Sequence, residues 1–254
     1  MTLVTELLPM PKLKMICAEY GLTLTEEQEN LFIKLRAKLY EQNDSKNFTR
    51  VSYEECETRH FAESLLIVDL IPHGASVLDM GTGPGFPAAP LAIVRPDLKI
   101  TAVDSNGKMI SFLQEFGLPN IIAIKARVEE LNYNNEFDIV TGRAFAPLNI
   151  FMEVASRPCK VGGRILPFRS SEEDLKFGFC DELGLRQTGI LMRNVGDGMP
   201  DRAFPIFEKI ITTPTGYPRL WAKIKSKPLG GVGKLANAAS RAKAMVTTNS
   251  KETE

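Results

Sequence analysis

Histidine and cysteine are scarce in this 254-residue chain, which holds two of the first and four of the second. His60 and His73 are too few for a histidine-rich metal site. Cys17, Cys56, Cys159 and Cys180 lie far from one another, so they form neither a paired zinc site nor a redox dithiol. No disulfide framework is expected in a chain this long. These absences point to a reduced protein without a metal. Long apolar runs are missing too: stretches such as 121–124 fall far short of the roughly 20 residues of a membrane helix, so no membrane span is expected. The opening Met-Thr-Leu-Val-Thr-Glu has no basic region leading into an apolar run, so no secretory signal is expected, and the expected location is the cytoplasm. Neither sign of charge dominates, with 31 basic and 31 acidic residues and a formal net charge of +0. That excludes a polybasic, histone-like chain but not an RNA binder whose charge is unevenly spread. At 44% hydrophobic residues, the chain can bury a real core.

Three textures follow one another. Residues 1–74 read as an N-terminal helical cap. Leu31, Phe32, Leu35 and Leu39 recur at helix spacing, with Glu26, Glu27 and Glu29 where a helix dipole favours acid. Phe61, Leu65, Leu66 and Val68 mark a second helical stripe, and the polar run 43–50 reads as the loop between. Residues 75–212 read as the main domain. Short apolar runs at 76–80, 99–103, 121–125, 137–141 and 164–168 predict buried strands, with helices over 106–116 and 148–156. That alternation implies a doubly wound α/β fold, a parallel sheet covered on both faces. Runs 186–192 and 203–211 could close it as an antiparallel hairpin. Residues 213–254 form a basic, loop-like C-terminal segment, expected to be mobile after 230.

The most informative stretch is Val77-Leu78-Asp79-Met80-Gly81-Thr82-Gly83-Pro84-Gly85-Phe86, placed between a predicted strand and a predicted helix. Glycines there let the chain turn tightly and let a ligand approach where a Cβ would clash. Phe86 stands where a dinucleotide fingerprint wants its third glycine, which weakens an NAD reading, and no Gly-Lys-Ser/Thr follows for a Walker loop. Asp104 ends the second strand about 20 residues on, where a carboxylate can accept both ribose hydroxyls of an adenosine. Arg127-Val128-Glu129, after the third strand, could edge the adenine. Together these suggest an adenosine ligand without phosphates: S-adenosylmethionine. Asp79 would order the glycine loop or hold the methionine amine through water, and Phe86 would border the cofactor cleft.

From about Asn47 to Leu229 the chain resembles the bacterial small-subunit (16S) ribosomal RNA guanine-N7 methyltransferases. The resemblance rests on Leu78-Asp79-Met80-Gly81-Thr82-Gly83-Pro84-Gly85-Phe86-Pro87, Pro90-Leu91-Ala92-Ile93-Val94-Arg95-Pro96 and Asp104-Ser105-Asn106-Gly107-Lys108. It extends through Arg127-Val128-Glu129-Glu130, Gly142-Arg143-Ala144-Phe145-Ala146 and Tyr217-Pro218-Arg219 with Lys227-Pro228-Leu229. Ala88 stands where that family commonly has glycine, Glu63 where it commonly has aspartate, and Arg169 in place of a common Lys-Gly. The resemblance implies a class I, Rossmann-like methyltransferase that uses S-adenosylmethionine and acts on 16S ribosomal RNA in the small subunit, here expected as a monomer. It implies that Arg143 touches the cofactor region and the incoming guanine, and that Arg202 matches an RNA-side arginine.

Guanine N7 carries an in-plane lone pair and no proton, so its methylation needs orientation and electrostatics but no general base. Arg143, ending the fourth strand, is the catalytic candidate, gripping O6 or a flanking phosphate. Arg202 and Arg219 are further RNA candidates, although the Asp201-Arg202 pair also reads as a solvated turn. Exocyclic amine methylation usually shows an Asn/Asp-Pro-Pro-aromatic motif where Gly142-Arg143-Ala144-Phe145 stands. Pyrimidine C5 methylation needs a thiolate, and Cys159 reads instead as a structural residue in a strand-entry loop. His60 reads as a helix residue satisfying its neighbours, and Phe48, Phe86 and Phe145 as core or purine-stacking rings. The alternatives left open are a methyltransferase of another RNA or a small molecule, and a non-catalytic RNA-binding assembly factor.

Overall fold

The computed structural model describes residues 10–170, 177–196 and 198–230. The tail expected to be mobile after 230 lies outside these residues. Seven strands form one sheet: β1 Ser76–Met80, β2 Lys99–Asp104, β3 Ile121–Lys125, β4 Phe137–Arg143, β5 Cys159–Ser170, β6 Leu185–Arg193 and β7 Arg202–Lys209, in the order β3-β2-β1-β4-β5-β7-β6. The first five run parallel, and β7 inserts antiparallel between β5 and β6. The hairpin expected from sequence is therefore present, with its second strand against β5. Connections between β1 and β4 lead to opposite edges, which makes the gap above these two strands the topological switch point where ligands of such sheets bind.

Alternation along β1 shows how both faces are covered. Val77 joins an apolar cluster with Phe112 and Leu113 of α4 (Gly107–Phe116) and the residues of α3 (Ala88–Val94). Leu78 and Met80 point to the other face, against Phe151, Met152 and Ala155 of α5 (Leu148–Ser156). A period of two with apolar residues on both faces buries the strand on both sides.

The N-terminal helices share the first cluster, since Leu13, Ile16, Phe32, Leu35 and Leu39 pack into it with Val77 and Ile100. α1 (Pro11–Glu19) has no side-chain cap of its own; Glu57 Oε1, far along the chain, accepts from Lys12 N at 2.7 Å and Leu13 N at 3.0 Å. α2 (Glu26–Lys46) begins in a capping box: Gln28 N donates to Thr25 Oγ1 at 3.2 Å, and Thr25 N to Gln28 Oε1 at 2.9 Å. Three local expectations are corrected. The helix runs into the polar stretch expected as loop and ends at Lys46, because Asn43 can serve both: from the last turn its amide holds both backbone groups of Thr49, at 2.9 and 3.0 Å. The second apolar stripe is buried as expected, but its backbone is a π-turn over Glu57–Ala62 followed by a 3-10 turn at Val68–Leu70. β5 also starts five residues before the expected 164, at Cys159, with a register break against β4. Gly163 reads as a turn residue yet lies within the strand, where a Cβ would come 2.8 Å from Asp138 O.

Candidate functional site

Every loop at the carboxyl end of β1 to β4 contributes to one place. Leaving β1, Gly81 N and Thr82 N both donate to Val103 O of β2, at 2.8 and 3.0 Å. Gly83 N donates to Asp104 Oδ2 at 2.9 Å, while Asp104 Oδ1 accepts from Asn106 N at 2.8 Å. Asn106 Oδ1 in turn caps α4 through Lys108 N at 3.0 Å. A single carboxylate thus fixes the glycine loop and the start of the next helix. Gly81 has φ +70°, and a Cβ on it would fall 2.7 Å from Phe145 Cδ2. Glycine is required there on both counts.

The loops enclose a cavity of about 260 Å³. Its walls are Gly81, the β2 end at Asp104 and Ser105, the β3 end from Ala126 to Glu129, and Ala144 with Phe145 after β4. The last wall is Trp221, the first residue of α7 (Trp221–Ser226), which follows the one-turn α6 (Cys180–Leu183). Glu129 Oε1, buried in the cavity wall, has no hydrogen-bond partner among the described residues and only the Arg127 guanidinium at 3.7 Å, while Asp79 Oδ1 and Thr82 Oγ1, buried in the glycine loop outside that wall, have no partner but each other. Buried orphan acceptors are uncommon and ask for a ligand or water to fill them. The Asp79 carboxyl is fully enclosed beneath the loop, its Oδ2 accepting from Ala88 N at 3.2 Å, and burial pushes its pKa up to about 6. These acceptors fit an adenosyl ligand rich in donors and carrying an ammonium. A pyrophosphate, itself anionic, would find carboxylates in its way.

A second constellation lies beside the first. After β4 the chain turns through Ala144, at φ +56°, with Phe145 against the cavity and Arg143 among the residues of the π-turn. Arg143 Nη1 donates to Arg59 O at 2.7 Å, and Nη2 lies 3.1 Å from His60 Nδ1. Because the guanidinium can only donate, Nδ1 accepts and the imidazole proton sits on Nε2, donating to Thr49 Oγ1 at 2.7 Å. Burial, with the charges of Arg143 and Arg59, lowers the His60 pKa to about 3. The imidazole stacks flat on Phe86 at 4.3 Å, and the Arg143 guanidinium stands 5.6 Å from the same ring. Glu63 joins the two arginines singled out in the sequence: its Oε1 is 3.6 Å from Arg143 and 3.0 Å from Arg202 Nε.

Several placements depart from the sequence reading; Asp79 and Gly83, expected at the cofactor, lie beside the cavity and outside its lining. Arg219 is no free phosphate contact. Its Nε and Nη2 hold both oxygens of Glu153 at 2.8 and 2.6 Å, and its backbone N adds a third bond at 2.9 Å. Glu153 is wholly buried in α5, so its charge needs this partner. Phe86 is buried under His60 and Arg143 and lies outside the cavity lining. Arg143 is likewise outside that lining, held on the cap side by Arg59, His60 and Glu63. Cys159 is the first residue of β5 and fully buried, its thiol pushed up to about 12, which leaves no thiolate for nucleophilic chemistry.

Residues 28–177 match the rRNA small subunit methyltransferase G family. The chain belongs to that family. It is 33% identical over 229 residues to the ribosomal RNA small subunit methyltransferase G of Lactobacillus johnsonii, covering 84% of this chain and 96% of that protein. The protein of the same name from Lachnoclostridium phytofermentans is 34% identical over 224 residues, covering 82% of this chain and 93% of its own length. Among solved structures, a SAM dependent methyltransferase from Aquifex aeolicus is similar over 69% of this chain and 98% of that one, at a TM-score of 0.47 and 19% identity.

For this member of the family, sequence reasoning missed Glu63 as the shared partner of Arg143 and Arg202, and Trp221 as a cavity wall. Glu63 carried a signal, being an acid in an apolar helical stripe that buries to 5% exposure. Trp221 carried only its rarity, as the single tryptophan of the chain in a segment that reads as loop.

Proposed function

We propose that this chain transfers the methyl group of S-adenosylmethionine to N7 of a guanine in 16S ribosomal RNA of the small subunit. The observation that carries the reading is the cavity at the switch point, where Gly81, Asp104, Val128 and Glu129 converge and two carboxylates face the single cation Arg127. When bound, S-adenosylmethionine supplies an electrophilic methyl on a sulfonium. Asp104, which anchors Gly83, would accept the ribose hydroxyls, Val128 would border the adenine, and Glu129 Oε1 would accept from its amino group. Asp79, fully buried beneath the glycine loop, would hold the methionine ammonium on that side. Phe86 acts one step removed, as the platform beneath Arg143.

No residue need take a proton from N7. Arg143 and Arg202 share one contacting carboxylate, Glu63, which leaves donor capacity on both guanidinium groups for guanine O6 or a phosphate. Lys223, Lys225 and Lys227 on and just after α7 take over the phosphate role that Arg219 cannot fill. A ribosomal substrate sets the work in the cytoplasm; among the described residues no helix is long and apolar enough to cross a membrane. The deciding experiment maps N7-methylguanine in 16S ribosomal RNA from cells with and without this protein. Loss of one modified guanine on deletion is expected, and an unchanged map overturns the assignment.

Two substitutions divide the roles. Asp104→Ala removes a charged acceptor from the ligand and two ties from the loops, so S-adenosylhomocysteine should bind roughly tenfold more weakly or worse. Unchanged affinity by calorimetry would remove the ribose assignment. Arg143→Ala should leave that affinity near normal and lower kcat/KM on small subunits by roughly tenfold to a hundredfold, the worth of a bidentate contact to guanine. Turnover close to the parent's would refute its catalytic placement.

A further inference from the structure

We infer that Trp221 stacks on the adenine of S-adenosylmethionine, so that the C-terminal helix, and not the sheet alone, completes the cosubstrate site. The inference rests on the cosubstrate reading above and extends it to a residue outside the family match over 28–177.

Three observations converge. Trp221 lines the same cavity as Asp104 and Glu129. A purine needs apolar surface for its faces and an acceptor for its amino group, and Glu129 Oε1 is such an acceptor, buried, without a hydrogen-bond partner and touched only by Arg127 at 3.7 Å. The other aromatic wall, Phe145, is already committed, packed over Gly81 and set edge-on to Phe151 at 6.0 Å. Trp221 pairs with no ring among the described residues and is only half-buried. A large indole left part-open at a cavity mouth is surface awaiting cover.

The helix that carries it is anchored independently of any ligand. Arg219 clamps Glu153 two residues before Trp221, Ile224 is fully buried, and Asn149 Nδ2 of α5 donates to Leu229 O at 3.0 Å. The indole is therefore held in place before the ligand arrives, which lowers the ordering cost of binding. Neighbouring Leu220, 84% exposed, has no such anchor and no place in the cavity.

Because the chain has one tryptophan, its indole emission reports this residue alone. Titrating the full-length protein with S-adenosylhomocysteine should change that emission saturably, with the dissociation constant found by calorimetry. Trp221→Ala should weaken binding about tenfold, within the range for one base–aromatic stack, and Trp221→Phe should restore most of it. If calorimetry shows tight binding while the parent's emission stays fixed and Trp221→Ala binds like the parent, the stacking assignment falls and the cosubstrate reading stands. The stacking assignment falls equally if emission responds to ribosomal RNA but not to S-adenosylhomocysteine. Failure of the parent protein to bind S-adenosylhomocysteine at all overturns the cosubstrate reading together with this inference. The emission measurement needs no variant, so it decides even if Trp221→Ala fails to fold.

Discussion

Replacing Arg219 with alanine should destabilise the fold by about 3–5 kcal/mol, as expected when a buried ion pair loses one partner. For a chain of this size that lowers the melting temperature by roughly 10 °C. The reason is Glu153, a wholly buried carboxylate in α5 that takes both guanidinium bonds and the Arg219 backbone N–H. Without the cation its charge stays in an apolar setting beside Phe151 and Met152 with only the amide bond left. Adding Glu153→Gln to Arg219→Ala should recover most of the lost stability, since a neutral amide tolerates the site far better than an orphan charge. An arginine that served as an RNA contact would behave differently. Its removal would leave the melting temperature within about a degree and lower the salt dependence of RNA binding by about one unit of slope. A melting temperature unchanged by Arg219→Ala would return this residue to the RNA surface.

The contrast between Arg219 and Asp104 shows what a sequence carries and what it does not. The place of Asp104 was legible because it depends on local grammar: a strand, a glycine loop and an acid at the end of the next strand. Those relations survive in one dimension, and the structure puts Gly81, Asp104, Val128 and Glu129 around one cavity as their spacing implies. The partner of Arg219, in contrast, is 66 residues away, and nothing in a basic tail announces a buried acid in an earlier helix. Glu63 fails to read for the same reason, since its partners come from the end of β4 and the start of β7. Strand cores were legible and strand ends less so. β5 gains five residues at its start because Gly163 fits a bulge as readily as a turn. The π-turn at Glu57–Ala62 keeps the burial of a helix while changing its backbone, a difference that hydrophobic spacing cannot express.

The pH dependence of stability should be nearly flat in the parent between about pH 4 and 6, and Asp79→Asn should tilt it. Asp79 titrates at about 6 in the fold against an ordinary carboxylate value near 3.9, so the native state holds its proton more tightly than the unfolded chain. Stability on its account falls as pH rises from about 4 and is lower by about 3 kcal/mol above 6. His60 works in the other direction. Buried between Thr49 and Arg143 and neutral down to about pH 3, it makes the native state bind fewer protons, so stability falls as pH drops below its ordinary 6.5. Over the shared window the two slopes oppose each other. Asp79→Asn removes one of them: at pH 7, without ligand, the variant should be about 3 kcal/mol more stable than the parent, and its stability should now rise steadily from pH 4 to 6. Denaturant unfolding at a series of pH values reads both effects. The same variant should gain less thermal protection from S-adenosylhomocysteine, because the enclosed carboxylate that destabilises the empty protein is the group its ammonium would neutralise. Equal stability of parent and variant at pH 7, with parallel pH profiles, would mean that Asp79 is solvated through the glycine loop and holds no charge in reserve for a ligand.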